Sequence, residues 1–214
     1  MKKILLVIFL LTVPNLYSQW FARSGMGLNV TNISSLRDYL NDNVAPSNNQ
    51  VAAFNSAIEF SGEIGYEVKE NLQIALDLSY EISSFNYFLT ANYFELTYEF
   101  LMPSIMAYHL VKGEGYIFRF GGGVGPRFTS VDEKGLVSNR VINYKSSGVG
   151  FLLRADGSTK LSQFFYANIG GDIRYNNNGN PKNDGVEKNI NARGDKLNMN
   201  SLSVGLRLGI TYLF

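Results

Sequence analysis

The chain has 214 residues, 19 Lys and Arg against 18 Asp and Glu, one His and no Cys. That near-neutral balance gives no reason to expect a nucleic-acid partner. The absence of Cys excludes a disulfide scaffold, a Cys-ligated zinc, a thiol nucleophile and a lipid-anchoring cysteine.

The first segment reads as a secretory signal peptide over 1–18. Lys2 and Lys3 precede an uncharged run from Ile4 to Val13, followed by Pro14, Asn15, Leu16, Tyr17 and Ser18. The apolar run is too short to span a bilayer as a helix. Cleavage is expected after Ser18, although Leu16 departs from the small residue usual three positions before a cut. The remainder, 19–214, is expected to form one domain. Without Lys2 and Lys3 the balance is 17 basic against 18 acidic residues.

Period-two alternation then recurs along the chain, placing successive side chains on opposite faces of a strand. Trp20, Ala22, Ser24, Met26, Leu28 and Val30 share one face. The stretch 31–52 is polar and reads as a surface loop, with Ser34 or Ser35 capping a short helix through Leu36, Tyr39 and Leu40. From Phe54 to Val68 the apolar even positions alternate with Glu59, Glu63 and Glu67. Residues 69–71 turn the chain, and Leu72, Ile74, Leu76, Leu78, Tyr80 and Ile82 alternate with Asp77 and Glu81. After a loop at 84–92, a fourth strand sets Phe94, Leu96, Tyr98, Phe100, Met102, Met106 and Tyr108 against Glu95, Glu99 and His109. Pro103 predicts a bulge or broken pair there, because proline cannot donate to the ladder.

A turn at 112–115 leads to Tyr116, Phe118, Phe120, Val124 and Phe128, opposed by Arg119 and Arg127. A polar loop covers 129–147. Val149, Phe151, Leu153 and Ala155 then oppose Arg154 and Asp156. Past a turn at 160–163, Phe165, Ala167, Ile169, Ile173 and Tyr175 oppose Asp172 and Arg174. A loop rich in Asn, Gly, Lys and Asp, 176–196, is expected to be mobile. The last strand, 201–214, puts Leu202, Val204, Leu206, Leu208, Ile210, Tyr212 and Phe214 on one face.

Eight strands with alternating short and long connections, no charge on the apolar parity, frequent Gly and 14 % aromatic residues predict an all-β fold. The expected form is an eight-stranded antiparallel up-and-down transmembrane β-barrel with short periplasmic turns and long external loops. A charge facing lipid at mid-bilayer costs ~2–4 kcal/mol, so its exclusion from that face is physical. The outer-membrane lipid, including lipopolysaccharide, is then the expected surrounding partner.

The C-terminal strand resembles the β-signal of bacterial outer-membrane barrels at Arg207, Gly209, Tyr212 and Phe214, which implies recognition by the outer-membrane assembly machinery. In overall pattern the chain resembles the small outer-membrane barrels of Bacteroidota, including PorT-like proteins. That resemblance implies a location and a fold, and leaves an accessory role in secretion or envelope assembly open.

The inward charges are uneven. Glu59, Glu63, Glu67, Asp77, Glu81, Glu95 and Glu99 line one wall. Arg23, Arg119, Arg127, Arg154, Arg174 and Arg207 line the other. An eight-stranded barrel is just wide enough for side chains to fill, so these are expected to meet across the lumen as a hydrogen-bonded plug, with an ion or proton path as the alternative. No catalytic, metal or cofactor residue is assigned. His109 falls at the periplasmic end, away from the outer leaflet where lipid-modifying enzymes act. Gly121-Gly122-Gly123-Val124-Gly125 lacks the Lys-Ser/Thr and the helix of a phosphate loop. Arg193-Gly194-Asp195 is an adhesion tripeptide of the kind that arises by chance. The expectation is a non-enzymatic barrel with a structural or surface-interaction role; a small channel and a lipid-modifying enzyme are the alternatives.

Overall fold

In the computed structural model, residues 20–46, 48, 50–89, 92–135, 140–191 and 194–214 are described. The expected signal peptide and Arg193 lie outside them. Eight long strands form the barrel: β1 (Trp20–Asn32), β2 (Asn55–Lys69), β3 (Leu72–Leu89), β4 (Asn92–Gly113), β5 (Tyr116–Lys134), β6 (Val141–Lys160), β7 (Phe165–Asn177) and β10 (Ser201–Leu213). One helix, α1 (Ser34–Asn43), and a small hairpin, β8 (Lys182–Asn183) with β9 (Val186–Glu187), interrupt the connections. Each barrel strand pairs with its sequence neighbours; β10 pairs with β1 and β7, and the β5–β6 ladder completes the ring.

The register fixes the shape. Starting at Trp20 and stepping from partner to partner gives Tyr66, Ile74, Ala107, Gly122, Leu153, Ile173, Val204 and finally Val30. One circuit therefore returns to β1 ten residues further on. That stagger corresponds to strands tilted by ~40° from the barrel axis.

Alternation sorts the side chains. Met26, Leu28, Ile64, Leu76, Ile105, Phe120, Leu153, Ile169, Leu206 and Leu208 are among the apolar residues exposed on the outside. Inside are charged and polar residues flanked by apolar ones. At one end two-residue connections, Glu70–Asn71 and Glu114–Gly115, and the short 161–164 link join the strands. Here aromatic rings cluster on the outer rim: Trp20 with Tyr66, Tyr116 with Phe118, and Tyr212 with Phe165 and Phe214. Both β1 and β10 begin or end at this turn end, where the Phe214 amide donates to the Trp20 carbonyl at 3.0 Å.

The opposite, loop end differs from the sequence expectation. The ladders continue past the apolar belt, so β3 and β4 run through most of 84–92, and β5 and β6 take up much of 129–147. The segment 31–52 is no simple surface loop. It carries α1, whose Leu36, Tyr39 and Leu40 are buried in the barrel mouth. The helix starts from Ile33 without a side-chain cap. Ser35 instead accepts a hydrogen bond from the Asn198 amide at 3.0 Å, tying α1 to the 178–200 connection. That connection, expected to be mobile, carries the β8–β9 hairpin, turned by Asp184 (φ 48°) and Gly185 (φ 82°), the two-positive-φ turn that suits hairpin twist.

One strand faces the other way from expectation. In β4 the apolar parity is inward: Phe94, Leu96, Tyr98, Phe100, Met102, Met106, Tyr108 and Leu110 are buried. Glu95 and Glu99 therefore point outward, beyond the apolar belt that ends at Leu101, and do not join the lumen charges. The physical reason is that the loop-end half of this barrel needs an apolar interior to receive α1. At Pro103 the ladder breaks without slipping. Pairing between β4 and β5 stops after Leu101↔Phe128 and resumes at Ile105↔Val124 in the same register. That register sets Pro103 opposite Pro126, two residues with no N–H to give.

Candidate functional site

The lumen is layered. Its middle is ionic, and the pairs cross between strands far apart in sequence. Arg154 Nη1 lies 2.9 Å from Glu63 and 2.8 Å from Asp77, and its Nε lies 3.5 Å from Asp172. Arg174 meets Glu59 at 2.7 Å and Asp172 at 2.8 Å. Arg207 reaches Glu59 at 3.0 Å and Asp172 at 3.5 Å. Arg23 pairs with Asp156 at 2.9 Å, and Arg119 with the other oxygen of Asp156 at 3.3 Å. Tyr108 donates to Glu63 at 2.6 Å and accepts from Arg154 at 3.0 Å, so β4 enters the network through a phenol rather than a carboxylate.

Two members of the expected set are held by neutral groups. Glu81 accepts from Asn29 and Thr31. Arg127 donates from Nε to Asn176 at 2.7 Å and from Nη1 to Ser104 and to the carbonyls of Pro103, Gly125 and Pro126. The guanidinium thus occupies acceptors freed where the two prolines interrupt the ladder. Glu67 sits apart, at the turn end, paired with Lys112 at 2.5 Å.

Apolar clusters seal the ionic layer on both sides. Toward the turn end, Phe21, Ala75, Met106, Tyr108, Leu110, Ile117 and Leu152 pack together. Here inward glycines make room: a Cβ on Gly121 would fall 2.5 Å from Tyr108 Cδ1, and one on Gly65 would fall 2.5 Å from the Phe21 ring. The Gly121–Gly125 run is thus a recess for facing side chains inside β5. Toward the loop end, α1 contributes Leu36, Tyr39 and Leu40 to a cluster with Phe94, Leu96, Tyr98, Phe100, Met102, Val131, Leu197 and Met199. Sequence reasoning missed this cap. Its signal was present, because β4 carries apolar residues on both parities, Leu101 and Ile105 as well as Phe100 and Met102.

Above the cap Lys188 joins the loop to the barrel. It lies 2.8 Å from Glu133 and above the rings of Tyr39 and Tyr144, at 4.9 and 5.1 Å. Tyr39 donates to Glu133 at 3.1 Å. Burial, reinforced by the Glu133 charge, pushes the Tyr39 phenol up to about 12. Burial pulls the Lys188 ammonium down, but its bond to Glu133 and the surrounding charges outweigh this and hold it above its ordinary range.

The remaining sequence candidates fall elsewhere. His109 is exposed on the outer wall, paired between Leu72 and Phe120. Arg207 faces the lumen; Gly209 lies against Ser24 and Gly25 of β1, which leaves no space for a side chain; Tyr212 and Phe214 join the outer aromatic rim. Gly194 and Asp195 belong to the 178–200 connection, where Asp195 accepts from Asn191.

No protein-family model and no curated protein matches the chain. Solved structures do. The neisserial surface protein NspA is 12% identical, with 91% of this chain and 97% of that one covered and a TM-score of 0.51. Ail, the attachment invasion locus protein of Yersinia pestis, crystallised with the heparin analogue sucrose octasulfate, is 10% identical over 93% of this chain and 100% of that one, at 0.51. The outer-membrane protease OmpT of Escherichia coli is 11% identical over 94% and 99%, at 0.50. An attachment protein and a protease in one set carry no shared activity over to this chain. What they share with it is architecture: the chain has the closed, antiparallel, eight-stranded barrel fold found among outer-membrane β-barrel proteins.

Proposed function

We propose that this chain is an exported, integral outer-membrane barrel, closed to ions and non-enzymatic, which acts through its external surface as a structural or surface-interaction protein. The outer face supports the membrane reading. From Leu202 to Tyr212 every outward residue of β10 is apolar or aromatic, a span of ~25 Å along the axis, which matches the apolar band of such barrels. The turn end, with its short links, is then periplasmic, and α1 and the β8–β9 hairpin are external.

The observation that carries the closed reading is the layering of the lumen: a middle of ion pairs and hydrogen bonds held between two buried apolar clusters. An ion crossing it would need to displace Arg154 from Glu63 and Asp77 and then pass the α1 cap. Planar-bilayer recording of the purified barrel tests this. No discrete conductance steps are expected at neutral pH; reproducible single-channel steps from the wild-type protein would overturn the closed reading and favour a channel.

A further inference from the structure

The β8–β9 hairpin joins the ladder of the barrel at Lys145 on β6 opposite Lys182 on β8, beside a hydrogen bond from the Asn183 side-chain amide to the Asn143 carbonyl at 2.8 Å. Both side chains are exposed. Like charges directly opposite one another in a sheet repel, yet this is where the hairpin attaches. Lys182 has one counter-charge, Glu187 across the hairpin at 3.2 Å. The Lys145 side chain makes no ion pair or hydrogen bond among the described residues. The neighbouring Asp132 makes no ion pair with it; that carboxylate accepts from the Asn143 amide, which also donates to Ser130 at 2.7 Å. A cleft of about 790 Å³ opens beside the two lysines, lined by Phe128, Thr129, Ser146, Ser147, Asn180 and Glu187 as well.

Its height gives it meaning. Lys145 stands four residues beyond Val149, the outward residue at the top of the apolar belt on β6, hence ~10 Å above it along the axis. Phe128, itself exposed and paired with Ser147, marks the lower edge of the cleft. The cleft therefore sits at the depth of lipid headgroups, with two cations and the Ser147 hydroxyl facing outward and an aromatic ring at the start of the acyl region. Resting on the membrane reading above, we infer that Lys145 and Lys182 form a binding site for the phosphorylated sugar headgroup of an outer-leaflet glycolipid. The phosphate bridges the two ammoniums, relieving their repulsion. Ser147 and Asn180 offer hydrogen bonds to the sugar, and the cleft exceeds what a bare phosphate fills.

The test uses the purified full barrel in detergent micelles, titrated with bisphosphorylated lipid A, with the same lipid A after removal of its phosphates, and with phosphatidylglycerol. Wild type should prefer the bisphosphorylated form over both. A lysine beside an anionic lipid surface is worth about five-fold in affinity, so Lys145→Gln with Lys182→Gln should weaken binding about twenty-five-fold and erase the preference. Glu187→Gln should tighten binding by freeing Lys182, an effect that misfolding cannot mimic. Equal binding of the dephosphorylated lipid, or a preference that survives the double substitution, overturns the site. Equally tight phosphatidylglycerol binding overturns the sugar assignment, as does inorganic phosphate competing at low millimolar concentration. Insertion of wild type into vesicles is scored in parallel: failure there sinks the membrane reading itself, whereas insertion without phosphate preference sinks this site alone.

Discussion

Arg154 shows what a single lumen residue contributes. Its guanidinium is shared by Glu63, Asp77 and Asp172 and also donates to Tyr108. Burying such charges costs desolvation, so the network is no simple stabiliser, but removing Arg154 takes the nearest cation from Glu63 and Asp77, which stay buried with only more distant arginines at 3.7 and 4.0 Å. Arg154→Ala should lower unfolding stability in lipid vesicles by ~3–5 kcal/mol, read from urea midpoints. Arg37→Ala, which removes an exposed pair with Asp38, should change it by less than ~1 kcal/mol. The residue types of this network were legible in the sequence, because a charge confined to one parity of a greasy strand has only the lumen to enter. Which arginine meets which acid was not, since those partners are set by the ten-residue stagger of the closed ring. Tyr108 was missed for a related reason: on an apolar parity a phenol looks like one more lipid-facing ring.

Among elements, α1 and β4 depend on each other. The apolar inner face of β4 has no purpose without α1 to cover, and α1 would expose Leu36 and Leu40 without β4. Alternation along β4 predicted two faces but could not say which was outward, because that is decided by a helix from another part of the chain. The latch of this cap titrates. Tyr39 and Lys188 both hold their protons more tightly folded than unfolded, the first up to about 12 against an ordinary 10.0, the second above 10.5. Their contribution to the folded cap is therefore complete below about pH 10 and is lost as pH rises through the folded values. The difference in tyrosinate absorbance between wild type and Tyr39→Phe should show a titration near pH 12. In a Glu133→Gln background that titration should move toward 10, since the Glu133 charge helps to raise it. An unchanged titration would separate Glu133 from the latch.

At the scale of the whole molecule, the barrel binds its two ends together through β1 and β10. On the membrane reading, the last strand serves two purposes, since Arg207 belongs to the lumen while Tyr212 and Phe214 face the periplasmic rim. Phe214 makes one backbone bond and one ring contact, so deleting it should leave refolding in detergent nearly intact. Accumulation in the outer membrane should fall sharply, because an assembly signal is read before the fold exists. Normal accumulation would remove the signal role. The sequence revealed strand number, order and the lipid face of seven strands, because those follow from local period and connection length. The sealed mouth at the loop end lay beyond it, being assembled from segments that look like ordinary polar loops.

The circuit from Trp20 to Val30 carries a constraint of its own. Because the displacement is an even number of residues, a side chain that leaves β1 pointing outward comes back pointing outward, and the ring closes without contradiction. Adding or losing one residue inside any strand would make the displacement odd. Somewhere around the wall, leucines would then turn to the water and arginines to the hydrocarbon. A change of length in these strands is compatible with closure only in pairs, or with a bulge to absorb it; single residues are free to come and go only in the turns and loops.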